Sequence, residues 1–344
     1  MRYNPVQLFD INQEWTIEDY FQTKGSRAKF VCLDPNGTRF YYKESLVREG
    51  RDYSSEFWAE IIASKLGQIL EFDILDYNIG LHKDHLGCIS QEMNDSTIDE
   101  SLIEGVNILA TIDPKIVDDK KYVNSVYDFQ FIKEGIEHIK EWDSFKDKLL
   151  NLIVFDAIIS NSDRHSENWG MIQTRTELLL PFTSHETQQS WIKKLINKTS
   201  KEEERHIVKP KKYIIKNTFS PIYDSGCCFG RENDEDKINY FLSEEGIDKY
   251  EKYLKKGKSE IRWNKQKRTH FDLIKLINQE YTEEVTAILE RVRNNYDKNL
   301  IIDIINSIDN IVPQSHYQFK LTSKRKEFIK RIIFDRMDKI LNIR

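Results

Sequence analysis

The chain has 344 residues, 39% of them hydrophobic and 32% charged, a make-up that suits a folded protein with a heavily charged surface and excludes a disordered tail. No apolar run approaches the roughly 18 residues of a membrane span, and residues 1–10 lack the basic start and apolar centre of a secretory signal, so a cytoplasmic protein is expected. The formal net charge of −5 argues against a general nucleic-acid binder, and four cysteines without a CxxC pair indicate neither a disulfide framework nor a zinc ribbon, which leaves them as packing residues.

In chain order, residues 17–21 (IEDYF) predict a short helix or turn. Residues 23–43 then predict two strands around a Pro35-Asn36-Gly37 turn. Gly25, Ser26 and Arg27 precede the first strand, where a loop can offer backbone N–H groups to phosphate oxygens. Neither G-x-G-x-x-G nor G-x-x-x-x-G-K-[ST] is present, so by itself this stretch equally suits a plain surface turn. Lys43 ends the second strand and is the best candidate for a phosphate-gripping lysine, because a strand fixes an ammonium group better than a loop does.

The next segment, 54–70, predicts a helix started by a Ser cap, with Phe57, Ile61, Ile62 and Leu66 at helical spacing; Glu56 or Glu60 is placed to pair with Lys43. Residues 77–93 predict two more strands around Lys83-Asp84-His85-Leu86. That hairpin also explains the His82, His85 and Cys88 spacing better than a metal site, which would lack a fourth ligand. The polar run 94–97 reads as a hinge between two lobes, where adenine would bind partly to backbone.

From Ser101 onward the pattern is mainly helical, with 126–139 and 142–159 as buried helices. Residues 149–159 are apolar on nearly every side; from Ser160 the sequence turns polar and sets Asn161, Asp163, Arg164, His165, Glu167 and Asn168 behind that support. Asp163 and Asn168 stand five apart, the spacing at which kinase-type enzymes carry a base and a metal ligand on one loop. The alternative is a polar loop whose Asp and Asn satisfy backbone N–H groups. A second carboxylate, Asp224 in PIYDSG, follows a strand-like run at 213–215 and precedes a Gly-containing turn. With Asn168 it forms an oxygen donor pair suited to Mg²⁺. His165 could orient Asp163 or act on the substrate proton, yet a His beside a charged loop is more often a structural hydrogen-bonder.

Residues 177–212 read as a surface insertion. Residues 193–216 hold nine Lys/Arg against three Glu, and 249–268 hold nine against two, with Tyr253 and Trp263 among them. Solvated helix faces explain both runs better than docking of nucleic acid or an acidic protein. Apolar residues at helical spacing recur over 271–277, 283–292, 300–311 and 326–341, with Pro313 separating two helices. The expected architecture is α+β and two-lobed, a small β-rich N-lobe over 1–93 and a large, mainly helical C-lobe over 94–344.

Asn161, Asp163, His165 and Asn168 together resemble the N-x-D-x-H-x-x-N catalytic loop of the HipA-like serine/threonine kinases, and Tyr223-Asp224-Ser225 resembles their metal-aspartate segment. Gly25, Ser26 and Lys29 match the family's G-S-x-x-K phosphate loop. Glu56 stands eleven residues before Gly67, the family's distance from the helix glutamate to a Gly at the helix end, which favours Glu56 over Glu60 and leaves Glu60 on the solvated side. The resemblance implies a protein-kinase-like fold and γ-phosphoryl transfer from ATP, with Mg²⁺ on Asn168 and Asp224. It also implies a Ser/Thr acceptor on a protein substrate, with Asp163 as base, His165 beside it, and Gly25, Ser26, Lys29, Lys43 and Glu56 around the nucleotide. Thr23 or Ser26 is a candidate autophosphorylation site. Some family members pair with a small DNA-binding antitoxin, so the resemblance implies a small regulatory or antitoxin partner, although the short leader leaves little room for the added N-terminal subdomain of those members. A D-R-H-x-x-N core is shared with lipid kinases of the phosphoinositide type, the main alternative; the DSG triplet favours the HipA pattern. A non-catalytic ATP-binding module is the second alternative, disfavoured because Lys43, Asp163, Asn168 and Asp224 fill all four polar roles.

Overall fold

Side-chain alternation along the N-terminal strands decides what faces the following helix and what faces away. The computed structural model describes residues 3–18, 29–45, 47–48, 51–177 and 213–343. Six strands form one sheet in the order β1-β7-β8-β4-β3-β2: β1 (Leu8–Asp10), β2 (Thr16–Glu18), β3 (Lys29–Leu33), β4 (Arg39–Glu44), β7 (Tyr77–His82) and β8 (His85–Gln91). A separate short pair joins β5 (Val47–Arg48) to β6 (Arg51–Asp52). Only β1 and β7 run parallel in the large sheet.

On one face Tyr42, Ile11, Cys32 and Ile89 pack with Phe9, Trp15, Phe30 and Phe40. On the other, Ile79, Leu81, Leu86 and Cys88 join the main core against α1 (Glu56–Ile69). Lys43 lies opposite Cys88 in register and so shares the α1 face. The β3–β4 turn is set by Asp34, whose Oδ1 accepts from the N–H groups of Asn36 at 2.9 Å and Thr38 at 2.7 Å.

Two local expectations are corrected here. Residues 16–18 are a strand, not part of a helix or turn, because pairing Ile17 with Cys32 lets Ile17 join the outer apolar face. Ser55 precedes α1 but makes no side-chain cap bond; instead Ser45 Oγ, from the end of β4, accepts from Phe57 N at 3.1 Å. Helix α1 is buried nearly all round, which obliges its charged residues to find partners. Lys65, fully buried, meets Asp76 at 2.5 Å.

After a 3₁₀ turn at Ser96–Ile98, fixed by Asp95 accepting from Thr97 N, the chain enters β9 (Glu100–Glu104). Then follow α2 (Gly105–Ala110), α3 (Lys120–Val126), α4 (Phe129–His138) and α5 (Trp142–Ile159). The predicted 126–139 helix begins only at Phe129, where Asp128 caps Phe131 N at 2.8 Å. The other predicted helix matches α5 end to end. β10 (Gly170–Glu177) is the centre of a sheet ordered β11-β10-β9, with β11 at Tyr213–Phe219. Among the described residues the remaining α-helices are α6 (Glu235–Leu242), α7 (Ile247–Lys256), α8 (His270–Glu280), α9 (Thr282–Asn295), α10 (Lys298–Ser307) and α11 (Ser323–Leu341).

One apolar core runs from α1 through α5 to α11. Phe72, just past α1, lies 4.8 Å from Phe155 of α5, so sheet-side and helix-side residues share it. The aromatic residues of the 249–268 basic run turn inward: Trp263 stacks on Phe129 at 5.3 Å, and Tyr253 donates to Glu232 at 2.7 Å. No helix among the described residues is long and apolar enough to cross a membrane.

Gly105 supplies a sharp test of this packing. A Cβ there would come within 2.3 Å of the Trp169 ring, and Trp169 cannot yield, being fully buried, stacked on Phe219 and bonded through Nε1 to Tyr127. Gly→Ala ordinarily helps a helix by up to ~1 kcal/mol. Gly105→Ala is expected to destabilise instead, by about 1–3 kcal/mol from overpacking, read by urea denaturation; unchanged or raised stability would show that the ring has room to move.

Candidate active site

The β10–β11 hairpin draws two distant stretches together. Met171 pairs with Phe219 at its base, Ser220 N donates to Gly170 O at 2.9 Å, and Gly170 N donates to Ser220 Oγ at 3.2 Å. The loop before β10 (160–169) and the segment after β11 (220–228) therefore leave the hairpin side by side.

Between them lies a buried guanidinium that the sequence pattern did not assign. Arg164 is 1% exposed. Its Nε and Nη2 grip Asp156 of α5 at 2.9 and 2.8 Å. Nη1 donates to the carbonyls of Asn168 at 2.7 Å and Tyr223 at 2.5 Å, and Nη2 also reaches Ser225 Oγ at 3.2 Å. Burial alone would lower the Arg164 pKa, but the charge and paired hydrogen bonds of Asp156 outweigh it and hold the group protonated. One side chain thus fixes the end of α5, the far end of the loop and the residues on both sides of Asp224.

The loop leaves α5 through Ser160, in the left-handed region at φ +61°. Asn161 is tied back to Asp156 by its own N–H and by Nδ2, each at 2.9 Å. Its carbonyl accepts from His270 Nε2 at 2.7 Å. His270 is buried, and burial followed by the nearby Arg336 charge lowers its pKa to about 3, so it stays neutral.

Asp163 is exposed on the loop. Its carbonyl accepts from His165 N at 2.9 Å and Asn168 Nδ2 at 2.8 Å. That second bond commits the Asn168 nitrogen to the protein and leaves its side-chain oxygen as the atom able to ligate a cation. His165 is turned toward its own loop: Glu167 N donates to Nδ1 at 3.3 Å, and the Glu167 carboxylate lies 3.7 Å away. Among the described residues no hydrogen bond joins the His165 ring to Asp163. Of the alternatives for His165, the structural bond within the loop is the one present.

Asp224 sits in the left-handed region at φ +53°. Its carboxylate meets Lys43 Nζ at 2.5 Å, and its N–H donates to Tyr77 Oη at 3.4 Å. Lys43 also lies 3.7 Å from Glu60. Glu60, 1% exposed, accepts from Ser225 N at 2.7 Å; burial raises its pKa, partly offset by Lys43. A Cβ at Gly226 would come within 2.8 Å of the same carboxylate, so the Glu60 head group would have to shift to admit one.

The preference for Glu56 as the Lys43 partner, with Glu60 in solvent, is thus corrected. Both glutamates are buried on one face of α1, a turn apart; the second turn lies over Lys43, while Glu56 in the first turn meets Arg231 at 3.2 Å. Cys227, read as packing, instead places Sγ 3.1 Å from Asp163 Oδ2. Lys29 stands opposite Lys43 on the neighbouring strand. Gly25, Ser26 and Thr23, and all but the first residue of the 177–212 insertion, lie outside the described residues.

Asn168 and Asp224 fit a hard divalent cation by donor type. Among the described residues no group of three His, Cys, Asp or Glu side chains converges as a metal cage. Few protein oxygens suit Mg²⁺, which keeps waters and substrate phosphates as its other ligands.

No protein-family model and no curated protein matches the sequence. Among solved structures, the chain aligns with the Helicobacter pylori proinflammatory kinase CtkA at a TM-score of 0.69 and 17% identity, covering 98% of this chain and 96% of that one. It also aligns with HipA of Shewanella oneidensis MR-1, solved with HipB and operator DNA, at a TM-score of 0.41 and 10% identity, covering 95% of this chain and 66% of HipA. Only the first likeness bears on the fold. The chain has the two-lobed α+β architecture of that kinase, with a β-sheet N-terminal part and a helical C-terminal part.

Two measurements test the site's scaffold. Arg164→Met would leave Asp156 buried without its cation, at an expected cost of about 3–5 kcal/mol, and adding Asp156→Asn should recover part of it; a single variant as stable as wild type would mean that Asp156 finds another partner. His270 gives a pH signature. Its folded pKa of about 3 lies below the ordinary 6.5, so between those values the unfolded chain binds a proton that the folded chain does not. Its contribution is full above pH 6.5 and falls as pH drops, by about 2 kcal/mol at pH 5. Denaturation at pH 7.5 and 5 should show a smaller acid loss for His270→Gln by that amount; equal losses would show that His270 titrates normally.

Proposed function

We propose that the protein is an ATP-dependent kinase of the HipA-like type that phosphorylates Ser or Thr hydroxyls of a protein. The observation that carries the proposal is the convergence of Lys43 on Asp224 at 2.5 Å, beside a segment bonded through Arg164 to the loop bearing Asp163 and Asn168. These are the four polar roles that phosphoryl transfer needs, drawn from three separate segments of the fold.

Bound Mg²⁺-ATP supplies the transferable γ-phosphoryl group and offsets the charge of its phosphates. Asn168 and Asp224 would hold the Mg²⁺. Lys43, steadied by Glu60, would hold the α- and β-phosphates. The exposed Asp163 carboxylate would align the acceptor hydroxyl and take its proton as the new O–P bond forms and the bond from the γ-phosphorus to the departing ADP breaks. Exposure on an open loop supports a macromolecular acceptor over a small enclosed one.

The test is transfer of labelled γ-phosphate to protein, followed by mass spectrometry of the labelled residue. Wild type should modify a Ser or Thr, and Asp163→Ala should be slower by about 10²–10⁴-fold. Equal transfer by both would overturn the role of Asp163, and label appearing only in lipid would move the assignment to the phosphoinositide type. Label at Thr23 or Ser26 would identify autophosphorylation.

A further inference from the structure

Behind the Asp163 carboxylate runs a chain of contacts that the proposed roles leave unused. Cys227 Sγ lies 3.1 Å from Asp163 Oδ2. Arg231 Nη2 lies 2.8 Å from that sulfur, and Arg231 Nη1 lies 3.2 Å from Glu56 of α1. The guanidinium sits 4.4 Å over the Tyr53 ring, so its plane is held as well as its charge.

The direction of these bonds follows from what each group can do. A guanidinium only donates and an ionised carboxylate only accepts, whereas a thiol does both. Arg231 therefore donates onto the sulfur, and the S–H is left to point at Asp163. Burial, then the charge of Asp163, push the Cys227 thiol well above its ordinary range, which keeps the proton on sulfur and the donor in place.

We propose that Cys227 is a positioning residue for Asp163 and that Arg231, anchored on Glu56, holds the thiol in the donating orientation. The inference rests on Asp163 being the catalytic base. One carboxylate oxygen is held by the thiol, which leaves the other to the acceptor hydroxyl. The same contacts link α1, beside the nucleotide lysine, to the group that receives the proton, so the two ends of the transfer are placed by one helix.

The experiment compares kcat and the KM for ATP among wild type, Cys227→Ala, Cys227→Ser and Arg231→Lys, with melting temperature recorded for each. Cys227→Ala should lower kcat about tenfold, the effect of one hydrogen bond at a reacting group, with KM for ATP changed less than about twofold. Cys227→Ser, which restores a donor, should recover most of that rate. Arg231→Lys keeps a cation beside Glu56 but shortens its reach to sulfur, and combined with Cys227→Ala it should add little to the loss of the cysteine variant alone. Unchanged kcat in Cys227→Ala would overturn the proposal. So would equal losses in the Ala and Ser variants, or a loss accounted for by a fallen melting temperature. Failure of the kinase reading itself is distinct: wild type would transfer no label, or Asp163→Ala would match it, and the positioning role would fall with the base.

Discussion

The loop that bears Asp163 and Asn168 and the segment that bears Asp224 are both indexed on the buried Arg164–Asp156 pair. A guanidinium and a carboxylate removed from water lose several kcal/mol of hydration each, and their attraction offsets this only when geometry is good and the remaining N–H groups are bonded. Both conditions hold: the contact with Asp156 is bidentate, and the other bonds go to Asn168, Tyr223 and Ser225. Such a pair adds little net stability over a packed apolar substitute, but it strongly disfavours any arrangement in which one partner is displaced. Its effect is specificity. The end of α5, the loop and the Asp224 segment have one low-energy way to meet.

That constraint explains how unfavourable backbone persists here. Ser160 and Asp224, at φ +61° and +53°, both occupy the left-handed region, at a cost of order 1–3 kcal/mol each for non-glycine residues. Asn161, directly after Ser160, is tied to Asp156, and Asp224 is held between the Tyr223 carbonyl and Ser225 hydroxyl that Arg164 binds. The Asp224 side chain is thereby turned to Lys43, with Glu60 behind. There one ammonium group faces two carboxylates, Asp224 at 2.5 Å and Glu60 at 3.7 Å.

The parts of the site that were legible in the sequence are those written as a change of pattern. Helix α5 could be read end to end because an apolar run stops abruptly, and the loop after it could be read because polar residues crowd behind that stop. What escaped was set by tertiary pairing. Glu56 and Glu60 share a helix face and differ only in which segment lies over each turn, so spacing to Gly67 could not choose between them. The strand at Thr16–Glu18 exists because β3 is there to pair with it. A usable signal for Arg164 was present and unread: Asp156 is a carboxylate inside an otherwise apolar run, and a charge so buried demands a cation nearby. Cys227 carried no such signal, since a thiol beside another cysteine is compositionally indistinguishable from packing.

Helix α1 then emerges as the element through which the two halves of the site are held in common. Glu60 meets Lys43 and the backbone of Ser225, while Glu56, one turn earlier, meets Arg231. On its far side Trp58 Nε1 donates to Phe319 O at 2.7 Å, from the stretch between α10 and α11. Movement of α1 by even part of a turn would break bonds to the sheet lysine, to the segment after Asp224 and to the stretch between α10 and α11 together. With so many partners on separate elements, the cost of moving α1 exceeds that of moving any one loop, and the polar groups of the site stand oriented before a substrate arrives. Preorganisation of this kind is where electrostatic catalysis gains most, because oriented charges need no rearrangement as the reaction proceeds.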